Sequence, residues 1–472
     1  MARVPAMACG DALTISASTR PMRDYGVKRV STLRSRVLKP NGTALPGAAV
    51  SVLNHPEYGG TKSRADGWYD LVVNGGGKVT LAFGKTGYLG AQRIATAPPQ
   101  DYGRVDDVVL LMPDTGVTVV QLGAASAAQT ARASQVTDED GTRRAAFIFD
   151  AGTSATIKLP DGTTQPATSL SIRLTEFTVG QRGREAMPAS LPAASAYTYA
   201  VEPTADEAVA VGGVVTFSKP VSAYAENFLG FPVGSKIPLG AYDRGAATWV
   251  PQPDGRVVKV LSTSGGVASI DADGDGSPDS DAALAALGFT TDERAQIAAN
   301  YTPGATLMRT RLFGLYPFDN NGPYKVLGTD PVVVPQPSCV SATRDVIKCD
   351  VRVATQAVSI PGTPLSLAYT SARAAGAADR TLHIPVTGSV MPDGLMGAYV
   401  HVWVAGQLTE QQYLPAANLS YDFTWDGNDA YGRPVQGNPS VTVEIGHLFP
   451  VQYQIAASTA ASFGMACDGT VV

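Results

Sequence analysis

Short apolar or alternating runs separated by turn residues dominate this chain, the pattern of all-β domains. Residues 49–53, 68–73, 79–83, 108–112 and 117–121 are such runs. Between them stand Asn41-Gly42, Asp66-Gly67, the glycines 75–77 after Asn74, and Thr86-Gly87, turn chemistry that supplies positive φ. Residues 30–116 therefore predict a small sandwich of about seven strands. Further runs at 145–149, 155–159, 170–177, 197–202, 214–217 and 256–261 fill a β-rich middle region, 117–329. Asp140-Gly141 and Asp161-Gly162 predict hairpin turns in it. Two stretches there predict helices, 281–287 and 291–301, the second opened by a capping box of Thr290 and Glu293. A proline-rich stretch, 330–337, reads as a spacer. Alternation returns over 338–456, most clearly at 419–426, where Tyr421, Phe423 and Trp425 face one way and Ser420, Asp422, Thr424 and Asp426 the other. Residues 1–29 and 457–472 carry no such pattern. The fold class expected is all-β, a multi-domain array of antiparallel β-sandwiches with a short helical insertion.

Composition narrows the classes. The 472 residues hold 36 Lys and Arg against 41 Asp and Glu, a net charge of −5. Without basic blocks the chain is a poor ligand for nucleic acid, whose affinity rests on Lys and Arg at phosphates. The longest apolar runs, such as 208–215 (AVAVGGVV), fall far short of the ~20 residues that span a bilayer. Hence neither a nucleic-acid partner nor a membrane span is expected. The first thirty residues hold no apolar stretch of signal-peptide length. Four cysteines cannot frame a small disulfide fold, but Cys339 and Cys349 have a spacing that suits a bridge across a short turn. Two free thiols are the alternative.

One segment carries a ligand pattern. Asp271, Asp273, Asp275, Ser277 and Asp279 occupy positions 1, 3, 5, 7 and 9 of a loop with Gly276 at position 6, followed by Asp281. Hard cations take six to eight oxygens, alternate residues point inward, and the glycine permits the sharp turn. Position 12 is Ala282, so a complete EF-hand is excluded. Asp281 or Glu293 could supply the missing ligand. The expectation is a structural calcium site over 271–281. The bland alternative is a solvated acidic turn, in which the carboxylates would repel one another.

Catalytic patterns are missing. His55, His383, His401 and His447 are scattered without zinc-ligand spacing. No nucleophile elbow appears, and no nucleophile, base and orienter converge in sequence. No enzyme is expected. Trp68, Trp249, Trp403 and Trp425 could stack on sugars, but such rings more often anchor sandwich cores.

Three segments, 42–52 (GTALPGAAVSV), 61–71 (TKSRADGWYDL) and 79–89 (VTLAFGKTGYL), resemble the transthyretin-like, carboxypeptidase-regulatory-like fold. Residues 360–371 (IPGTPLSLAYTS), His383-Ile384-Pro385 and 418–435 (NLSYDFTWDGNDAYGRPV) resemble the fibronectin-like plug of teneurins and bacterial Rhs/YD-repeat proteins. Residues 224–234 (YAENFLGFPVG), Tyr242-Asp243-Arg244 and the acidic loop are similar to the equivalent region of Rhs-type proteins, with a ZU5-like sandwich as the candidate fold.

The resemblance implies a non-enzymatic module, extracellular or at the cell surface, whose plug closes a shell of tyrosine–aspartate repeats. That shell, downstream in cis or on a separate chain, is the expected partner, and the family associates it with toxin cargo. Tyr431 and Arg433 are either a contact to the shell wall or an ordinary hairpin turn. The alternative function is a calcium-stabilised adhesin or carbohydrate-binding protein meeting a cell-surface protein or glycan, with Trp249 and Tyr242 as its candidate contacts.

Overall fold

The structure, a computed structural model, describes residues 29–191, 198–321, 380–436 and 439–449, together with the backbone of five short strands beyond them. Strands make up 48% of it and helices 9%, so the molecule is all-β. The bridge 330–337, the bond between Cys339 and Cys349, and the tail 457–472 lie outside the described side chains. Two compact units divide at Lys325 and Val326.

The first unit begins with two four-stranded sheets. Val30–Leu38 pairs antiparallel with Trp68–Asn74 and parallel with Tyr102–Arg104 and Val108–Val109. The facing sheet runs Gly60–Lys62, Ala49–Val52, Gly77–Gly84, Ala91–Ala97. Period-2 alternation turns Leu33, Val50, Val52, Tyr69, Leu71, Leu81 and Phe83 into one shared core. Gly67, at φ 83°, makes the turn before Trp68, and a side chain there would strike the Val37 carbonyl.

The middle region is one wrapped sheet rather than a sandwich. Its ten-strand path starts at Gln129–Arg132 and ends at Thr118–Gln121. These two edge strands are drawn together by Gln129, whose side chain accepts from the Gln121 amide (2.9 Å) and donates to the Gln121 carbonyl (2.8 Å). The sheet is thereby almost closed into a barrel, and closure removes exposed edges. Phe147, Phe149, Leu170, Ile172, Tyr199, Leu239, Val257 and Phe318 fill the interior.

A second apolar cluster lies apart from this interior. Ile270, Leu284, Phe289 and Ile297, from the acidic segment and two helices, pack with Val258, Val260 and Leu307 of the wall. The helices are Asp281–Ala286 and Thr291–Asn300, near the expected bounds. Two further short helices, Gly183–Ala186 and Asp206–Val211, were not expected. The first is a single turn, and the second overlaps the apolar run 208–215 just before the strand expected at 214–217. At four and six residues neither builds an amphipathic period.

The second unit contains two three-stranded sheets. One holds Ser338–Cys339, Thr381–Pro385 and Ser420–Thr424; the other holds Gln407–Tyr413, Gly397–Val404 and Val441–Leu448. Ile384, Val386, Val400, Val402 and Phe423 form the core. Phe423 is buried, Tyr421 and Trp425 pack half-buried beside it, and Ser420, Asp422, Thr424 and Asp426 are exposed, as alternation predicts.

Candidate metal centre

The acidic loop is set by its backbone. Gly274 and Gly276 adopt φ of 88° and 83°, conformations that side chains resist. Gly274 lies back to back with the turn at Gly234. A Cβ on either would run into backbone of the other segment, at the Val233 carbonyl or the Asp273 carbonyl. Arg256 fixes the same place, donating from Nη1 to the Ala272 carbonyl (2.9 Å) and the Gly234 carbonyl (3.3 Å).

On this frame Asp271, Asp273 and Asp275 come together, each with a carboxylate oxygen within 4.8 Å of the others. Asp271 is buried, while Asp273 and Asp275 are exposed. The Asp271 carboxylate accepts from the Gly274 amide (2.6 Å) and the Gly276 amide (3.0 Å). Asp273 accepts from the Asp275 amide (3.1 Å), and Asp275 from the Ser277 amide (2.7 Å). Like charges this close repel, by up to about 1 kcal/mol per pair where water screens them. Among the described residues this is the one such group of carboxylate, imidazole or thiolate side chains. Its all-oxygen donors match a hard cation in chemistry.

The other expected ligands stand elsewhere. The Asp279 carboxylate accepts from the Ala272 amide (2.6 Å) and so braces the loop. Asp281 pairs with Arg294 at the start of its helix. Ser277 enters through its amide. Glu293 cannot complete the site, contrary to the expectation that it could. Its carboxylate is buried and takes Arg309 Nε (2.7 Å), Arg309 Nη2 (2.8 Å) and the Tyr224 hydroxyl (2.6 Å). Burial pushes Glu293 up, but these donors outweigh it and hold the carboxyl below its ordinary range. The capping box is accordingly half made. Thr290 Oγ1 accepts from the Glu293 amide (2.9 Å) and donates to Asp150 (2.8 Å).

The tryptophans follow the core reading at Trp249, which is buried and donates to the Ser190 carbonyl (3.1 Å). Tyr242, beside it, is buried and donates to Gln92 (2.6 Å). Neither ring offers a free face to a sugar, which overturns the candidate contacts of the glycan reading. The Tyr431 to Arg433 segment is a turn closed by Asp429, which accepts from the amides of Tyr431 (2.9 Å) and Arg433 (3.0 Å). The four histidines remain far apart in use. His55 meets Glu57, His383 meets Asp422, His401 lies at a tilt beside the Tyr399 ring, and His447 meets the Val386 carbonyl.

Comparison with known proteins bears on the N-terminal block. A family profile described as "Teneurin TTR-like domain" matches residues 25–110. Residues 30–110 of the chain form the transthyretin-like sandwich of the teneurin type. Mouse Teneurin-3 is 37% identical over 100 residues, and human Teneurin-1 is 32% identical over 129 residues. These matches cover 21% and 26% of this chain, and 4% and 5% of those proteins, so the chain spans a small part of the curated relatives it matches. A Streptococcal ancillary pilin structure aligns over 29% of this chain and 59% of its own at 10% identity and a TM-score of 0.15, too slight to carry an argument.

The teneurin-type sandwich is anchored to the barrel. Arg93, on its outer strand, is buried and donates to the carbonyls of Glu185 (2.6 Å) and Met187 (3.0 Å) at the end of the short helix. Burial lowers its pKa to about 10. Leu89 packs with Phe177, Met187, Tyr242 and Trp249 around it. The barrel returns a second arginine, Arg244, to the Gly90 carbonyl (2.7 Å) while it pairs with Glu202 (2.7 Å).

Proposed function

We propose that this chain is a non-catalytic structural module of an Rhs/teneurin-like YD-repeat protein, working outside the cell or at its surface. The observation that carries the reading is the teneurin-type sandwich of residues 30–110, built into a larger β assembly. A bound calcium ion at Asp271, Asp273 and Asp275 would pin the loop between barrel wall and helices. It would neutralise charges that otherwise repel, and supplies no reactive chemistry in this role. The sandwich of residues 381–448 acts as the plug, meeting a repeat shell downstream or on another chain.

The experiment is binding of the full chain to a purified YD-repeat shell polypeptide, followed by cross-linking and peptide mapping. The reading expects a stable complex with cross-links concentrated in residues 381–448. No complex, or cross-links confined to the teneurin-type sandwich, would contradict the plug assignment.

A further inference from the structure

Beyond the acidic loop, the described residues hold one fully buried carboxylate whose two oxygens both lack a hydrogen-bond partner, that of Asp319. Asp319 sits in the short strand Phe318–Asn320, wedged between two others. Its register partners are Ala200 on one side and Gly240 on the other. Neither offers a polar side chain to the carboxylate. Two positions along, on the same face of the extended backbone, Asn321 is also fully buried, and its side-chain oxygen and nitrogen both lack partners. The Asn321 backbone is held in line, donating to the Pro238 carbonyl (2.8 Å).

Outside the acidic loop, the other buried carboxylates among the described residues are paired. Glu176 and Asp138 share Arg143, Glu293 has Arg309, and Asp70 has Arg34 and Arg64. Asp319 departs from that rule. Burial pushes its pKa well above the ordinary carboxylate range, opposed only by the Tyr199 backbone. A lone buried charge is costly, and proteins resolve it with a proton, an ion pair or a metal ion. A protonated carboxyl would donate to a nearby acceptor, yet the Asn321 oxygen two residues away receives nothing.

We propose that Asp319 and Asn321 form a buried site for a monovalent alkali cation, sodium being the probe. One carboxylate balances one positive charge, whereas a divalent ion would leave a net charge buried in low dielectric. The Asp319 oxygens are the charged ligands and Asn321 Oδ1 a neutral one. The Asn321 nitrogen is left to a water of the ion's shell. This site is separate from the acidic loop and does not depend on calcium.

The test is thermal melting of the full chain in sodium chloride and in choline chloride at equal ionic strength, both with a calcium chelator. Matching the ionic strength cancels screening, and a cation bound only by the folded state raises the melting temperature by mass action. The expected result is an upward shift of several degrees in sodium, lost in Asp319→Asn. Sodium-23 relaxation broadened by the wild type and restored by that variant is the second expected readout. Equal melting in both salts, or an Asp319→Asn variant that melts higher than wild type in sodium, means a protonated carboxyl and overturns the proposal. Because the wild-type comparison stands alone, a variant that fails to fold leaves the test intact.

Discussion

Two acidic regions border the same small apolar cluster and are built on opposite terms. In the loop, Asp271, Asp273 and Asp275 gather within 4.8 Å with only backbone amides as donors, two of them open to solvent. Beneath the neighbouring helix, Glu293 is sealed from water and matched by Arg309 and Tyr224. Arg309 also stacks 3.8 Å from the Phe289 ring centroid and donates to the carbonyls of Leu287 and Gly288. Matched charges close a core, whereas gathered like charges leave a demand that a cation can meet.

The widest separation between the two should appear on removing Arg309. Arg309→Ala leaves Glu293 buried and unpaired, and roughly 3–5 kcal/mol of stability should be lost in denaturant unfolding. Arg309→Ala with Glu293→Gln should recover part of it. If the single change costs no more than an exposed pair, the sealed description fails.

A second sealed pair sharpens the contrast through pH. Asp138 accepts from fully buried Arg143, and those bonds lower its pKa to about 2. The unfolded carboxyl titrates at the ordinary value, 3.8. The lowered folded value means that the stabilisation is complete above pH 4 and is lost as pH falls towards 2, on the order of 2 kcal/mol. Unfolding free energy measured over that window should decline less steeply in Asp138→Asn. An unchanged slope would place the titration elsewhere.

The loop carboxylates, by contrast, should be nearly silent without metal. Asp273→Asn with Asp275→Asn removes repulsion between exposed groups, so the metal-free protein should melt at the wild-type temperature or slightly above it.

These differences also decide what could be read from the chain. The loop was legible because its three gathered carboxylates fall within five residues and its glycines mark the turns. The matched charges were not. Arg309 lies 16 residues beyond Glu293 and Tyr224 lies 69 before it, and in the sequence Glu293 reads as a capping residue and a possible calcium ligand. Strand positions followed from alternation, as at Phe423 and Trp425. Barrel closure did not, because it depends on which edges meet, here through Gln129 and Gln121. Trp249 and Tyr242 carry two readings in the sequence because their hydrogen-bond acceptors, the Ser190 carbonyl and Gln92, come from distant parts of the chain.

The most direct measurement is the melting temperature of the full chain across a calcium titration into the millimolar range, beside the Asp273→Asn, Asp275→Asn variant. A gathered acidic loop that serves as a structural cation site requires a rise in the wild type that the variant lacks. The same rise in both proteins, or none in either, would contradict it.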